Sequence, residues 1–397
     1  MTVSEFPVKM LTMFTRFLHR PDHSFFLFGP RATGKTTWLR QNFAAAVWYD
    51  LLKSDVFLPL LRDPAAFRRR VAALPPGSWV VLDEVQRVPP LLHEIHALLG
   101  ERGDEVHFAL CGSSARKLRR MDVDLLAGRV FERRFFPLTA AEIGEPDVEA
   151  LLRFGSLPKV CAEPQHAVDI LEAYVHTYLQ QEIQQEAVVR DLGAFVRFLE
   201  VAAIMNGQVV NAAGIARDSG VSRPTVQRYL TVLVDTLIGT WLPAWNPRLK
   251  AKEVARPKFY LFDPGVVRAI SGLLRDPPEQ AARGPLFETL VLNELRAHIA
   301  YAGIGGKLHF WRTPAGREVD FIWSRGRRQV GFEVKSNKTW RSTWSRTLAE
   351  LVEAGALQAA YGIYLGPHEQ RDGPVHILPF HTFAQRLHAG ELLPGGL

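Results

Sequence analysis

A short apolar run leading into Gly29-Pro30-Arg31-Ala32-Thr33-Gly34-Lys35-Thr36-Thr37 limits what this chain can fold into more than any other feature. Residues 24–28, SFFLF, have the apolar content of a strand covered on both faces. A helix is expected from about 35 to 46. Between them, Gly29, Gly34, Lys35 and Thr36 complete the spacing G-x-x-x-x-G-K-[ST] in its required strand-to-helix setting. The chemistry explains the residue types. Gly34 lets the main chain close around oxygen atoms, and consecutive amides at a helix N-terminus face an anion. Lys35 adds a point charge, and Thr36 offers a hydroxyl to a hard cation. The expected ligand is a nucleoside triphosphate, ATP, with Mg²⁺, and Gly29 to Thr37 are its expected contacts.

Two more apolar runs follow, WVVL at 79–82 and HFALC at 107–111. Strands apolar on both faces, alternating with helical stretches, indicate an α/β domain with a parallel sheet covered on two sides. The 79–82 strand delivers Asp83 and Glu84. In that place Asp83 is expected to hold the Mg²⁺ with Thr36, and Glu84 to polarise an attacking water. After the third strand, Ser113 or Ser114 is either a γ-phosphate contact or the N-cap of the helix bearing Arg116 and Lys117. Arg129, in Leu126-Ala127-Gly128-Arg129, is the first candidate for an arginine acting on a neighbouring subunit, which would require a homo-oligomer. Arg133 and Arg134 compete for that role, and a solvated basic face is the plain alternative.

Taken in order, GPRATGKTT, VVLDEVQRVP, CGSSARKL and LAGRVFERRFFPLTAAEI resemble the bacterial and archaeal AAA-type ATPase family whose members carry a C-terminal domain of unknown function. The similarity continues through FGSLPKV at 154–160 and the later EVDF and EVKS segments. It implies ATP and Mg²⁺ binding with the roles above and says little about biological process. Ala32 departs from the pattern, standing where the family often has a larger polar residue.

The rest of the 397 residues divides by pattern into a helical lid or connector (146–190), a winged-helix-like region with a basic linker (191–280) and a third domain (281–397), after an ATPase domain of 1–145. Residues 1–20 read as an amphipathic helix. Around Ser219-Gly220-Val221 two helices meet at a short turn. Ser222 is the expected N-cap, with Val226, Leu230, Leu233 and Val234 as the core stripe. That leaves Arg223, Thr225, Gln227 and Arg228 at an exposed helix start, the place from which a recognition helix grips DNA. Residues 248–258 hold Arg248, Lys250, Lys252, Arg256 and Lys258 against Glu253 alone, a candidate wing for phosphate contact. The alternative is a fold used only to pack domains together. The Pro-rich stretch 243–280 is expected to form short strands and no helix.

In the third domain a helix at 286–301 precedes strands at 308–312, 318–323 and 329–335, then a helix and a last strand near 360–365. Asp320, Glu333 and Lys335 are brought to one sheet edge, with 333 and 335 on one face. This arrangement is similar to the PD-(D/E)xK core of restriction-endonuclease-like folds. In that core carboxylates hold Mg²⁺ or Mn²⁺ and the lysine positions water; Glu288 matches its acidic helix residue. The alternative is a salt-bridged set that holds an inherited fold with an idle site. Residues 307–346 carry ten Lys and Arg against three Asp and Glu, equal to the whole-chain surplus of +7, so an anionic partner such as DNA is expected there.

Two cysteines cannot build a disulfide framework, which points to a reducing compartment. No apolar run reaches the roughly 18 residues of a spanning helix. A soluble, cytoplasmic protein with no membrane partner is expected. Three functions fit the sequence: a working Mg²⁺-dependent ATPase coupled to a DNA-binding C-terminal half, a metal-dependent DNA nuclease regulated by ATP, and a slow nucleotide switch with an inactive nuclease-like domain that serves protein interaction.

Overall fold

The computed structural model describes residues 14–112, 126, 128–179, 191–246 and 256–393. Five strands build the first sheet: β1 (Phe25–Phe28), β2 (Val47–Asp50), β3 (Ser78–Asp83), β4 (Val106–Gly112) and β5 (Phe131–Arg134). They lie in the order β2-β3-β4-β1-β5, and every pair is parallel. Side chains alternate between two separate cores, as a period of two requires. Phe26, Phe28, Val80, Leu82, Phe108 and Leu110 enter one core; Phe25, Leu27, Val81, Ala109 and Cys111 enter the other. The apolar runs are the central strands. The edge strands β2 and β5 were not legible, because an edge needs no continuous apolar run, and β5 reads FERR.

Residues 14–20 are not helical, against the expectation of a helix over 1–20; the remainder of that segment lies outside the described residues. Pro21 disfavours a helical Arg20. Arg16 is committed to tertiary bonds instead, donating to the carbonyl oxygens of Thr33 and Phe136, to Glu142 and to the Tyr301 hydroxyl.

The middle of the chain packs the helices Leu192–Ile204, Ala212–Ser219 and Arg223–Asp235 beside three short antiparallel strands. These strands are β6 (Gln208–Val209), β7 (Gly239–Leu242) and β8 (Lys258–Leu261), in the order β6-β8-β7. Gly220 ends one helix at φ 69°, and the Ser222 hydroxyl caps the next by accepting from Thr225 N at 3.3 Å. The Pro-rich stretch holds a helix after all, Pro264–Ile270. Its proline sits at the first helical position, where a missing N–H costs nothing, and Asp263 caps it, so these signals mark a start and not a break.

The long helix Gln280–Tyr301 leads into β9 (Lys307–Arg312), β10 (Glu318–Arg325), β11 (Arg328–Lys335), β12 (Ala359–Tyr364), β13 (Gln370–Asp372) and β14 (Val375–Pro379). Their order is β13-β14-β12-β11-β10-β9, a mixed sheet, antiparallel from β9 to β11 and parallel from β11 through β12 to β14. β13, β14 and the helix Phe380–His388 lie beyond the expected last strand. One continuous apolar core runs from Leu151 through Phe195, Leu230, Phe259 and Phe287 to Phe332 and Phe383.

Glu294 ties the long helix to the first region: its Oε1 accepts from Ala140 N at 2.7 Å, in the interior. Burial raises its carboxyl to about 8, with the charge of Glu142 adding to the effect. The folded chain therefore holds this proton more tightly than the unfolded chain. Glu294's favourable contribution is complete below the ordinary carboxyl range and is lost as pH rises through about 8. E294Q keeps the acceptor and removes the titration. Thermal melting should show the variant equal to the parent near pH 4 and increasingly more stable up to pH 8; a difference that does not change with pH would refute this assignment.

Candidate functional site

The turn from β1 into the helix Lys35–Asn42 is built for close approach. A Cβ on Gly29 would meet the Phe135 carbonyl oxygen at 2.4 Å, and Gly34 sits at φ 91°. The Lys35 ammonium donates to the carbonyl oxygens of Gly29 at 2.7 Å and Pro30 at 2.8 Å. The Thr33 hydroxyl donates to Pro30 O at 2.9 Å, and Arg16 holds the Thr33 carbonyl at 2.8 Å from outside the loop. Thr36 and Asp83, 47 positions apart, meet: the hydroxyl donates to Asp83 Oδ2 at 2.7 Å. The other carboxylate oxygen, Oδ1, is buried with no hydrogen-bond partner.

Glu84 follows directly, in the left-handed region at φ 59°, and Gln86 donates to it. A bulky residue at such an angle stores strain, a recurrent mark of functional positions. Glu84 lines a cavity of about 320 Å³ with Arg31, Ala32, Leu52, Lys159 and Tyr174. Ala32 also has positive φ, at 62°, and Thr37 is exposed on the first helical turn. Lys159, inside the FGSLPKV segment, and Arg16 were not singled out by spacing. Cys111 on β4 is fully buried; burial first, then the Asp83 charge, holds its thiol protonated. Ser113 lies outside the described residues.

Arg129 is exposed and donates to the His96 carbonyl at 3.4 Å. It precedes β5, whose first residue pairs with Phe25 at the start of β1. Its place is thus the sheet edge opposite the Gly29–Thr36 loop.

In the C-terminal half Glu288, Asp320, Glu333 and Lys335 are brought together. Lys335 Nζ lies 2.5 Å from Glu333 Oε1 and 3.6 Å from Asp320 Oδ2. Asp320 Oδ2 also accepts from Val334 N at 2.8 Å, while Glu333 Oε2 is buried without a partner. Three further members come with them. Lys258 Nζ reaches Glu318 Oε1 at 2.5 Å and Glu288 Oε2 at 3.5 Å, and the Tyr260 hydroxyl donates to Glu288 at 2.6 Å.

Lys258 was expected in an exposed basic wing; it is 4% exposed, on β8, facing these carboxylates. The alternation K-F-Y-L puts Lys258 and Tyr260 on one face of the strand, and a count of basic residues cannot separate that face from solvent. Burial works against the Lys258 charge, but Glu288, Asp320 and Glu318 outweigh it and hold the ammonium protonated. Burial, then the charge of Asp320, pushes both Glu288 and Glu333 above the ordinary carboxyl range. Among the described residues no group of three or more His, Cys, Asp or Glu is disposed to hold a metal; ammonium groups contact these carboxylates.

Of the helix-start residues, Arg223 and Gln227 line a groove of about 390 Å³ with Arg256. Thr225 is turned to the Ser222 hydroxyl at 2.8 Å, and Arg228 is exposed beside the Tyr229 ring. Lys250 and Lys252, with Arg248, lie outside the described residues. Among the described residues no helix is long and apolar enough to cross a membrane.

The first region is a parallel-sheet domain with the G-x-x-x-x-G-K-[ST] spacing at the turn after its first strand, and the C-terminal sheet is mixed. Residues 22–144 match the AAA domain family. Residues 145–276 and 283–383 match two families described as domains of unknown function, DUF8612 and DUF4143. An uncharacterized protein of Mycobacterium tuberculosis and one of Mycobacterium bovis are each 27% identical over 363 residues, covering 89% of this chain and 78% of theirs. Among solved structures, the Aeropyrum pernix ORC2 protein in its ADPNP-ADP complexes aligns with TM-score 0.37 and 13% identity over 64% of this chain and 88% of that one. A point variant of Thermotoga maritima RuvB aligns with TM-score 0.31 and 17% identity over 56% and 82%.

K258M tests the ammonium's place. With Glu288 and Glu318 left facing each other, stability should fall by roughly 3–5 kcal/mol in urea unfolding, the usual effect of removing one partner of a buried pair. Adding E288Q should restore part of it. A cost no larger than that of a surface substitution would show that Lys258 is not the counter-charge.

Proposed function

We propose that this chain is an Mg²⁺-dependent AAA-type ATPase whose C-terminal half acts on or through DNA. The observation that carries the first part is the Thr36–Asp83 contact with a buried, unpartnered Asp83 Oδ1 beside it. An orphaned carboxylate oxygen in the interior is costly unless something occupies it in the working protein. The donor set, one hydroxyl and one carboxylate in a phosphate cradle, suits a hard cation that keeps several waters. Thr36 and Asp83 would hold Mg²⁺, which when bound would neutralise charge developing on the β- and γ-phosphates. The main-chain N–H groups from Arg31 to Thr37 wrap the phosphates, with Gly29 and Pro30 shaping the turn, and Lys35 exchanges its loop carbonyls for phosphate oxygen. Glu84, on the wall of the adjoining cavity, orients water and takes its proton. Arg129, at the far sheet edge, serves the cradle of a second copy in a homo-oligomer.

The gathering of Glu288, Asp320, Glu333 and Lys335 is the ground for a second reading, metal-dependent phosphodiester cleavage by the 281–397 segment, in which a cation would have to displace the Lys335 ammonium from Asp320 and Glu333. Arg223, Gln227 and Arg256 on one groove, joined by Thr225, Arg228, Lys250 and Lys252, would supply the DNA contacts.

The central test is nucleotide-dependent melting with phosphate release from ATP. K35A should lose both the melting shift and turnover. E84Q should keep the shift and lose turnover by roughly 10²–10⁴-fold; equal turnover in E84Q and parent would favour the slow switch. No shift with ATP and Mg²⁺ in the parent protein would remove the ATPase reading.

Plasmid and single-stranded DNA incubated with Mg²⁺ or Mn²⁺ test the second activity. Nicking should disappear in the D320A/K335A double variant, and nicking that persists there would exclude these residues as its source.

A further inference from the structure

A cavity of about 520 Å³ lies away from the phosphate loop, where three parts of the chain converge. Arg134 and Phe136 come from β5 and the residues after it, Trp241 from β7, Leu292 and Arg296 from the long helix, and Lys307 from β9. The volume is that of a small-molecule site. Its walls are mostly apolar, and its charged groups are all cationic: among the described lining residues there is no Asp or Glu.

Arg296 is the telling member. Only partly exposed, it makes no hydrogen bond or carboxylate pair among the described residues; its contact is the Phe136 ring, 5.2 Å from the guanidinium. Burial, and then repulsion from Arg134, pulls its pKa to about 10. Arg134 pairs with Glu132 at 2.9 Å; Arg296 has no carboxylate beside it among the described residues, and an anion entering the cavity would supply one. The same two arginines line a smaller void that reaches Gly29 and Pro30, the first residues of the phosphate loop.

We propose that this cavity binds a small organic anion, an acidic head group on an apolar or aromatic body. The head group pairs with Arg296 and Arg134, and the body packs on Trp241, Phe136 and Leu292. This site is separate from the nucleotide cradle and does not rest on the ATPase reading.

The test uses the full chain carrying K35A, so that the cradle cannot contribute. The probes are the fluorescent sulfonate 1-anilinonaphthalene-8-sulfonate and its uncharged analogue N-phenyl-1-naphthylamine. The sulfonate should saturate at one equivalent and bind roughly tenfold more tightly than the neutral analogue, the worth of one good charge-assisted contact. Adding R296Q should erase that preference and leave the neutral probe's binding unchanged. R134Q, which alters a half-exposed side chain, should weaken the sulfonate in the same direction and serves if R296Q does not fold. Displacement by pyrophosphate against displacement by dodecanoate then separates a phosphate head from a carboxylate one. Equal binding of the two probes, or a sulfonate affinity unchanged in both variants, would overturn the proposal.

Discussion

Thr36 meets Asp83 across the end of β4, which stands between β1 and β3. Phe28 of β1 pairs with Gly112, and Leu82 of β3 pairs with Leu110. At roughly 4.8 Å between neighbouring strands, the turn after β1 and the carboxylate at the end of β3 lie about two spacings apart. That gap is wide enough for phosphate oxygens and a hydrated ion. β4 ends beneath it in Gly112, which puts no side chain into the gap. The same order buries β1, β3 and β4 on both faces, so that the apolar runs and the site geometry have one cause.

This is why the first half was largely legible. Gly29, Gly34, Lys35, Thr36 and Asp83 follow or end strands whose apolar runs declare them, and the first four complete a recognisable spacing. The edge strands were not legible, because their residues answer to neighbours and solvent and show no periodicity of their own. Pro264 was misread because proline stops a helix from inside and starts one from its first position. Only the Asp263 cap distinguishes the two. In the C-terminal half, sequence spacing within one hairpin brought Asp320, Glu333 and Lys335 together. Lys258 and Tyr260 arrive from a strand paired in another sheet, and no local pattern records that meeting.

Two lysines and four carboxylates in one partly enclosed cluster are hard to justify by stability alone. Each ion gives up hydration, and well-packed apolar residues of similar volume often do as well or better. The raised carboxyls of Glu288 and Glu333 register that lost hydration first, and then the charge of Asp320. What such a set does provide is register. Lys258 on β8, Glu288 on the long helix and Glu318 on β10 can pair only when these three elements are correctly seated. An apolar patch would accept a slipped arrangement; an ammonium facing two carboxylates does not. The cluster therefore fixes the middle strands against the C-terminal sheet, whatever chemistry it also performs.

The same logic of matched donors and acceptors joins the two halves at Arg16. Four of its N–H bonds go to Glu142, the Thr33 carbonyl, the Phe136 carbonyl and the Tyr301 hydroxyl, and its plane lies 4.0 Å from the Phe135 ring centre. A lysine has three donors, no plane and no fork, and could not meet this set. Tyr301 is the last residue of the helix that carries Glu288 one end away, roughly 20 Å along its axis at 1.5 Å per residue. A shift of the Thr33 carbonyl must either break an interior bond of Arg16 or carry Arg16 with it. In the second case the force is delivered to the end of a helix that is packed into the interior from Leu286 to His298.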